Sequence, residues 1–485
     1  MFLPIELYET IIEQIAPDDP LRQSTILSLT RALPYIPALQ TYLFRGIILS
    51  RAEQAIQLTL RLLKTDGDEV SLCVQEFCWH NEWTVDAEVV VNLLRKLPGL
   101  RSLSLCIGTN FAPEHLEAIF KTPRPDLRYL SLRFRPYVQK ATYQRFLSGS
   151  YFDSTLACLA EWPPSDLPTL SVVQEAMEPA QAPHISFAQP IVFFRLDKHL
   201  ADLAHSSYLF SLTSLRLRIP SRPVAGALAS LPLSLPSVEL LDLSTCNVFG
   251  AELTDTLLAR LTRLKHVILD NGTLLRKEYD PEDWAVLGKG CALAGVKRTK
   301  EREKKLRQAR LQTVPVAAPE RQARPGRKGV STAKISLRAS PPRQSRVVGV
   351  VDTPAASGMR KVRLYPGLPS LCSLATTLPA SVPPGKHAEI RQQFEKGWYE
   401  GLRQLVETRS RLYKSHGLES ATIMKYMDAE ETNGSEEGLD GLVEVTEWDD
   451  DLDIKAPVLC LAGPEKSAVH EAGCAHSVAW TVWKD

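Results

Sequence analysis

The chain has 485 residues, with 57 Lys and Arg against 56 Asp and Glu (formal net charge +1) and 44% hydrophobic residues. That length allows two to four domains, and the apolar content allows a sizeable core for much of the chain. No run of eighteen apolar residues is present to span a membrane. Nine cysteines, an odd number without Cys-x-x-Cys spacing, read as reduced thiols of an intracellular protein, cytoplasmic or nuclear. The first 15 residues carry three glutamates and no basic segment, unlike a secretory leader.

In residues 4–15, Ile5, Leu7, Tyr8, Ile11, Ile12 and Ile15 recur at helical spacings, with Glu6, Glu9 and Glu13 on one narrow polar edge. This apolar face is wider than a short surface helix needs. Asp19-Pro20 signals a second helix carrying Ile26, Leu27, Leu29 and Leu33; Pro34 stops it, and Pro37 opens a third short helix. Three such helices are too small to bury a good core alone, so they need the rest of the chain or a partner.

An internal period follows. Leu100-x-x-Leu103-x-Leu105 returns from Leu127, Leu212, Val238 and Leu264, with an earlier copy at Val74-x-x-Phe77-x-Trp79. The central apolar positions fall at 77, 103 and 130, and again at 215, 241 and 267, intervals of 26 or 27 residues. Helix-like stretches lie between copies, which predicts a solenoid with one strand and one helix per repeat. Alternation sends the leucines inward and Tyr129, Ser131, Arg133, Ser214, Arg216, Arg218, Asp242, Ser244, His266 and Asp270 outward to the concave face. The interval from 130 to 215 fits three repeats, with Leu156-x-x-Leu159 and residues 191–194 as candidate strands, or a proline-rich inserted loop over 161–189.

Residues 281–310 read as a helix with a basic second half, and residues 313–357 as a disordered linker. Residues 297–346 hold sixteen Lys/Arg against three Glu, whereas 427–453 hold twelve acidic residues and no basic one, so the near-zero net charge conceals opposite blocks. Val362-Arg363-Leu364 followed by Leu368-x-x-Leu371 suggests a further solenoid strand. Ile390, Phe394, Trp398, Leu402, Leu405 and Leu412 then keep helical spacing through a capping helix. The last thirty residues are expected to be poorly ordered.

No phosphate-binding loop, Gly-x-Ser-x-Gly elbow or His-Glu-x-x-His helix occurs. Cys73, Cys78 and His80 sit at strand-like positions. His470, Cys474 and His476 are spaced like ligands but have no evident fourth partner, so neither metal nor cofactor is expected. The chain is expected not to be an enzyme.

Leu3-Pro4, Glu6-Leu7, Ile11-Ile12 and Ile15, with the second cluster Leu27, Leu29, Arg31 and Leu33, resemble the F-box over residues 1–44. The stretch from Ser24-Thr25-Ile26-Leu27 to Pro37 resembles a fungal variant, and Tyr42 and Phe44 depart from the pattern where many members carry tryptophan. The resemblance implies that Leu3, Pro4, Glu6, Leu7, Ile11, Ile12, Ile15, Leu27 and Leu29 dock a Skp-type adaptor, linking the chain to a cullin scaffold. Cys246-Asn247 resembles the position at which leucine-rich repeats bond the turn after a strand. Together these features resemble the F-box/leucine-rich-repeat family. The expected fold class is α/β, with a three-helix F-box (1–45), a leucine-rich-repeat solenoid (46–295), a basic disordered linker (296–360), a last repeat with capping helix (361–426) and an acidic, largely disordered tail (427–485). The implied function is substrate recognition in a Skp–cullin–F-box ubiquitin ligase. Tyr129, Arg133, Arg216, Arg218, Asp242 and His266 would meet an unknown protein target. The alternative is a repeat scaffold or a nuclear protein whose basic segment binds nucleic acid.

Overall fold

The computed structural model describes residues 5–15, 22–34, 36–64, 67–79, 86–108, 110–135, 151–176, 192–231, 234–274, 280–313, 361–379, 382–426, 442–446, 448, 454–467 and 469–484. Helices α1 (Ile5–Gln14), α2 (Arg22–Ala32) and α3 (Pro37–Arg45) open it. Tyr8, Ile12, Ile26, Ile36 and Leu39 meet in a small core of their own. Pro37 occupies the first turn of α3, where its missing N–H leaves no bond unmade.

The chain passes from α3 straight into β1 (Gly46–Leu49), the edge of a ten-stranded sheet. Next come β2 (Glu76–Trp79), β3 (Ser102–Ile107), β4 (Tyr129–Phe134), β5 (Thr169–Gln174), β6 (Ser214–Arg218), β7 (Leu240–Asp242) and β8 (His266–Ile268). They add in sequence order, each parallel to the last, and β10 (Ser373–Ala375) and β13 (Val458–Cys460) complete the sheet. A separate three-stranded sheet joins β9 (Lys361–Leu364), β11 (Ala421–Tyr426) and β12 (Leu442–Glu444).

One register row shows why these sequences stack. Ile47, Phe77, Leu103, Leu130, Leu170, Leu215, Leu241, Val267, Leu374 and Leu459 are successive partners across the ten strands. All are buried in one continuous core with the intervening helices. Each strand gains this burial only beside a neighbour in the same register, which stacks the sheet as a solenoid. Cys246 and Asn247 bond the turn after β6 as expected: the Ile219 N–H donates to Cys246 Sγ at 3.3 Å, and Asn247 Nδ2 donates to the Ser221 carbonyl at 2.9 Å.

The repeat count between 130 and 215 requires correction. One strand, β5, fills that interval, so the spacings are 40 and 45 residues rather than three of about 28. Leu156 and Leu159 lie on a helix, Asp153–Ala160, and the 161–189 stretch contributes a strand rather than only a loop. Asp153 fastens the longer connection: its buried carboxylate accepts from the N–H groups of Phe194 (2.6 Å) and Arg195 (3.1 Å). Burial pushes its pKa up, against the pull of those two N–H bonds.

Beyond β8 the chain is held by helix pairs. Residues 281–310 form two helices, Pro281–Ala292 and Ala294–Thr313, rather than one. The first packs against the 31-residue helix His387–Gly417, burying Trp284, Leu287, Phe394, Trp398 and Leu402 between them. Gly288, Gly397 and Gly401 lie where the backbones meet. The basic helix has a structural anchor, since Glu303 accepts from Arg363 Nη1 (2.8 Å) and the Leu364 N–H (3.0 Å) and so ties it to β9. Val362–Leu364 therefore joins the smaller sheet, and the solenoid strand starts at Ser373, just past Leu371. The linker over 314–360 and the acidic residues 427–441 lie outside the described residues.

Candidate functional site

The outward face of the large sheet carries the residues singled out above. Rows alternate, so Ser102, Tyr129, Thr169, Ser214, Leu240, His266, Ser373 and Val458 form one outward row. Ser104, Ser131, Ser171, Arg216, Asp242, Ile268, Ala375 and Cys460 form the next. The outward direction of Tyr129, Arg133, Arg216, Arg218, Asp242 and His266 is thus as expected from strand alternation.

Their accessibility is not. The C-terminal segment folds back over this face, whereas the sequence suggested a largely disordered tail. Helix Ala475–Val482 packs with Cys474, Ala475, Ala479 and Trp483 against Tyr129, Leu240, Ile268, Ala375 and Cys460, a second hydrophobic core on the side of the sheet away from the first. Its turn-in is set by Gly473, whose φ of +80° is favoured by glycine, and Cys474 then caps the helix by accepting from the Ser477 N–H at 3.4 Å. Trp483 lies against the Arg216 guanidinium, 4.4 Å from ring centroid to Cζ. Lys484 reaches Glu76 Oε2 at 3.3 Å and Ser102 Oγ at 3.5 Å, on β2 and β3.

Arg133, Arg216 and Arg218 are engaged within the chain, and this corrects the expected recognition face. Asp242 is 0% exposed and accepts from Arg218 Nη2 (2.7 Å), Arg218 Nε (3.0 Å) and Arg216 Nε (3.2 Å). The Ser244 hydroxyl (2.7 Å) and N–H (3.0 Å) complete its shell. Burial alone would raise this carboxyl, but Arg218 and Arg216 outweigh burial and hold it below the usual carboxylate range. Arg133 pairs with Glu175 at 2.6 Å, an acid that the sequence pattern did not single out. Tyr129 is buried, and His266 Nδ1 bonds Ser373 Oγ at 2.8 Å, with burial then Lys265 lowering its pKa.

At the other end of the face the expectation of no fourth metal partner fails. Cys460 on β13 joins His470, Cys474 and His476, and one donor atom from each lies within 4.8 Å of all the others. Burial pushes the Cys460 thiol up to about 11. By contrast, Cys73 ends a helix and Cys78 lies on β2, while His80 falls outside the described residues.

The N-terminal residues divide. Leu7 and Ile11, one turn apart on α1, are 46% and 47% exposed, and Leu27 on α2 is 36% exposed. Ile12 belongs to the module's own core and is 0% exposed, which removes it from any docking face. Leu29 is half-buried beside that core, and Ile15 is half-buried. Leu3 and Pro4 lie outside the described residues; Glu6 falls on α1, but its side chain is not described.

These features define an α/β repeat protein: a parallel-sheet solenoid, preceded by three helices and closed by a segment that returns to its outward face. No protein-family model and no curated protein matches the chain. Among solved structures it is similar to a chain in the crystal structure of the Rad7 and Elc1 complex of yeast, at 14% identity over 49% of this chain and 73% of that one. The TM-score is 0.23, so this likeness bears on neither fold nor function. Among the described residues no helix is long and apolar enough to cross a membrane.

Proposed function

We propose that the chain is a substrate-recognition subunit of a Skp–cullin–F-box ubiquitin ligase, bringing a target protein to the ligase and performing no bond chemistry itself. The observation that carries this reading is the split of α1 into two faces. Tyr8 and Ile12 close the module's core, while Leu7 and Ile11 present an apolar strip, with Leu27 on α2 a further exposed leucine. The F-box resemblance of residues 1–44 assigns that strip to a Skp-type adaptor. With the tail in place, the target would meet the free end of the outward face, where Ile48 is 56% exposed in the row of Cys78 and Ser104, rather than the arginine cluster. Such a subunit would work in the cytoplasm or nucleus.

Leu7→Asp with Ile11→Asp tests the docking half. Hot-spot side chains at an interface centre cost about 2 kcal/mol or more when lost, and a buried aspartate in place of each would add an unpaired charge. The pair should therefore weaken co-purification with a Skp-type adaptor by roughly a hundredfold or more. Both side chains are already half-exposed, so the thermal unfolding midpoint should barely move. Unchanged adaptor recovery from the stable double variant sinks the proposal.

A further inference from the structure

We propose that Cys460, His470, Cys474 and His476 form a tetrahedral zinc site that pins the C-terminal helix to the end of the repeat sheet. The inference does not depend on the ligase reading.

Three observations converge on it. The first is geometry. Cys460 Sγ lies 3.4 Å from both His470 Nδ1 and His476 Nδ1, and Cys474 Sγ lies 3.7 Å from His470 Nδ1. A zinc ion with Zn–S near 2.3 Å and Zn–N near 2.05 Å at tetrahedral angles sets sulfur–nitrogen edges of about 3.5 Å. Three sulfur–nitrogen separations therefore already match the edges that one ion imposes, and all four donors lie within 4.8 Å of one another.

The second is tautomer control. His470 Nε2 lies 2.8 Å from the Glu465 carbonyl oxygen, which can only accept, so Nε2 carries the proton and Nδ1 keeps its lone pair. His476 Nε2 lies 2.7 Å from Asp270 Oδ2, with the same result, and Thr377 Oγ1 donates to Oδ1 of that carboxylate at 2.7 Å. Both lone pairs thus face the two sulfurs. A histidine that holds a metal through one nitrogen and a carboxylate or carbonyl through the other is oriented and made more basic by that partner.

The third is placement. Cys460, Cys474 and His476 are each no more than 3% exposed, and the residues come from three separate pieces: a sheet strand, a connecting loop and the start of the final helix. Two thiol protons could bridge to the two imidazoles pairwise without a metal, but such bonding does not require all four donors to close on one point. Two soft thiolates with two imidazoles select zinc among common divalent ions. Binding replaces the two S–H bonds with two Zn–S bonds and releases two protons, leaving the two thiolates and the dication neutral together.

The test is metal content of the purified full chain. About one zinc per chain is expected by elemental analysis. Cobalt added to chelator-stripped protein should produce the intense visible bands and thiolate charge transfer of a tetrahedral site. His470→Ala should lose stoichiometric zinc, Asp270→Asn should weaken binding about ten- to a hundredfold, and Cys372→Ser, at an exposed thiol elsewhere, should retain full zinc. If His470→Ala does not fold, the stripped wild type still decides. Zinc-free protein that takes up neither zinc nor cobalt, or a six-coordinate cobalt spectrum, overturns the proposal in favour of S–H···N bonding alone. Hydrogen exchange in residues 475–482 should rise when zinc is removed; protection unchanged by chelation would overturn the pinning role.

Discussion

Gly397→Val should abolish recovery of soluble folded protein, and Gly397→Ala should cost about 3 kcal/mol, the upper end of the usual overpacking range, by chemical denaturation. At this position a Cβ would run into the main-chain carbonyl of Ala285 on the facing helix, and at Gly288 a Cβ would meet the carbonyl of Phe394. Gly401 adds a third close approach, with an added Cβ 2.7 Å from Ala292 Cβ. Main-chain atoms cannot rotate aside as a flexible side chain can, so the helices must separate. Separation would reopen the packing of Trp284, Leu287, Phe394 and Trp398. Helix propensity argues the opposite way, since alanine is favoured over glycine by about 1 kcal/mol in a helix interior. Gly226 separates the two effects: it is helical, and an added Cβ meets nothing within 4 Å, so Gly226→Ala should be neutral or slightly stabilising. Equal stability of the two alanine variants would show that the close crossing is not what the glycines serve.

Asp242→Asn should destabilise the fold by about 3–5 kcal/mol, the usual result of removing one partner from a buried ion pair. The amide cannot neutralise Arg216 and Arg218, and the former guanidinium is nearly enclosed under Trp483. Combining it with Arg218→Met should recover part of the loss, a coupling of about 0.5–3 kcal/mol in a double-mutant cycle. Strict additivity would mean that the cluster does not act as a unit. The pH response has a definite sign. The folded carboxyl titrates below its ordinary 3.8, so its contribution is complete above the unfolded pKa and is withdrawn as pH falls through the folded value. The wild type should therefore lose stability more steeply than Asp242→Asn in that acid window, with parallel slopes near neutrality.

The regular repeats were legible because each strand carries the same inward spacing, and six of the ten strands announce themselves at intervals of 26 or 27 residues. β1 and β5 were hidden for a physical reason: longer connections change the interval without changing the register that pairs Ile47 with Phe77, or Leu170 with Leu130 and Leu215. β10 and β13 lie past a long insertion, so their three-residue strands offered no period. The outward direction of Arg216, Arg218 and Asp242 followed from alternation, but alternation says nothing about what returns to cover a face. The same limit applies to the cysteine–histidine cluster. Cys460 sits on a strand ten residues before His470, and only the parallel pairing of β13 with β10 brings it under the final helix. On α1, helical spacing identified Ile11 and Ile12 together; which one turned to solvent depended on α2 and α3.

The contact from Lys484 to Glu76 spans 408 positions of sequence. In an ordinary repeat array each unit leans only on its neighbours, so the ends fray and folding can propagate from any point. Here the chain is strung like a bow, with the final segment as the cord across the arc. Denaturation should therefore approach a single cooperative transition, and a ribosome-bound chain cannot tension its early strands until residue 484 has been made.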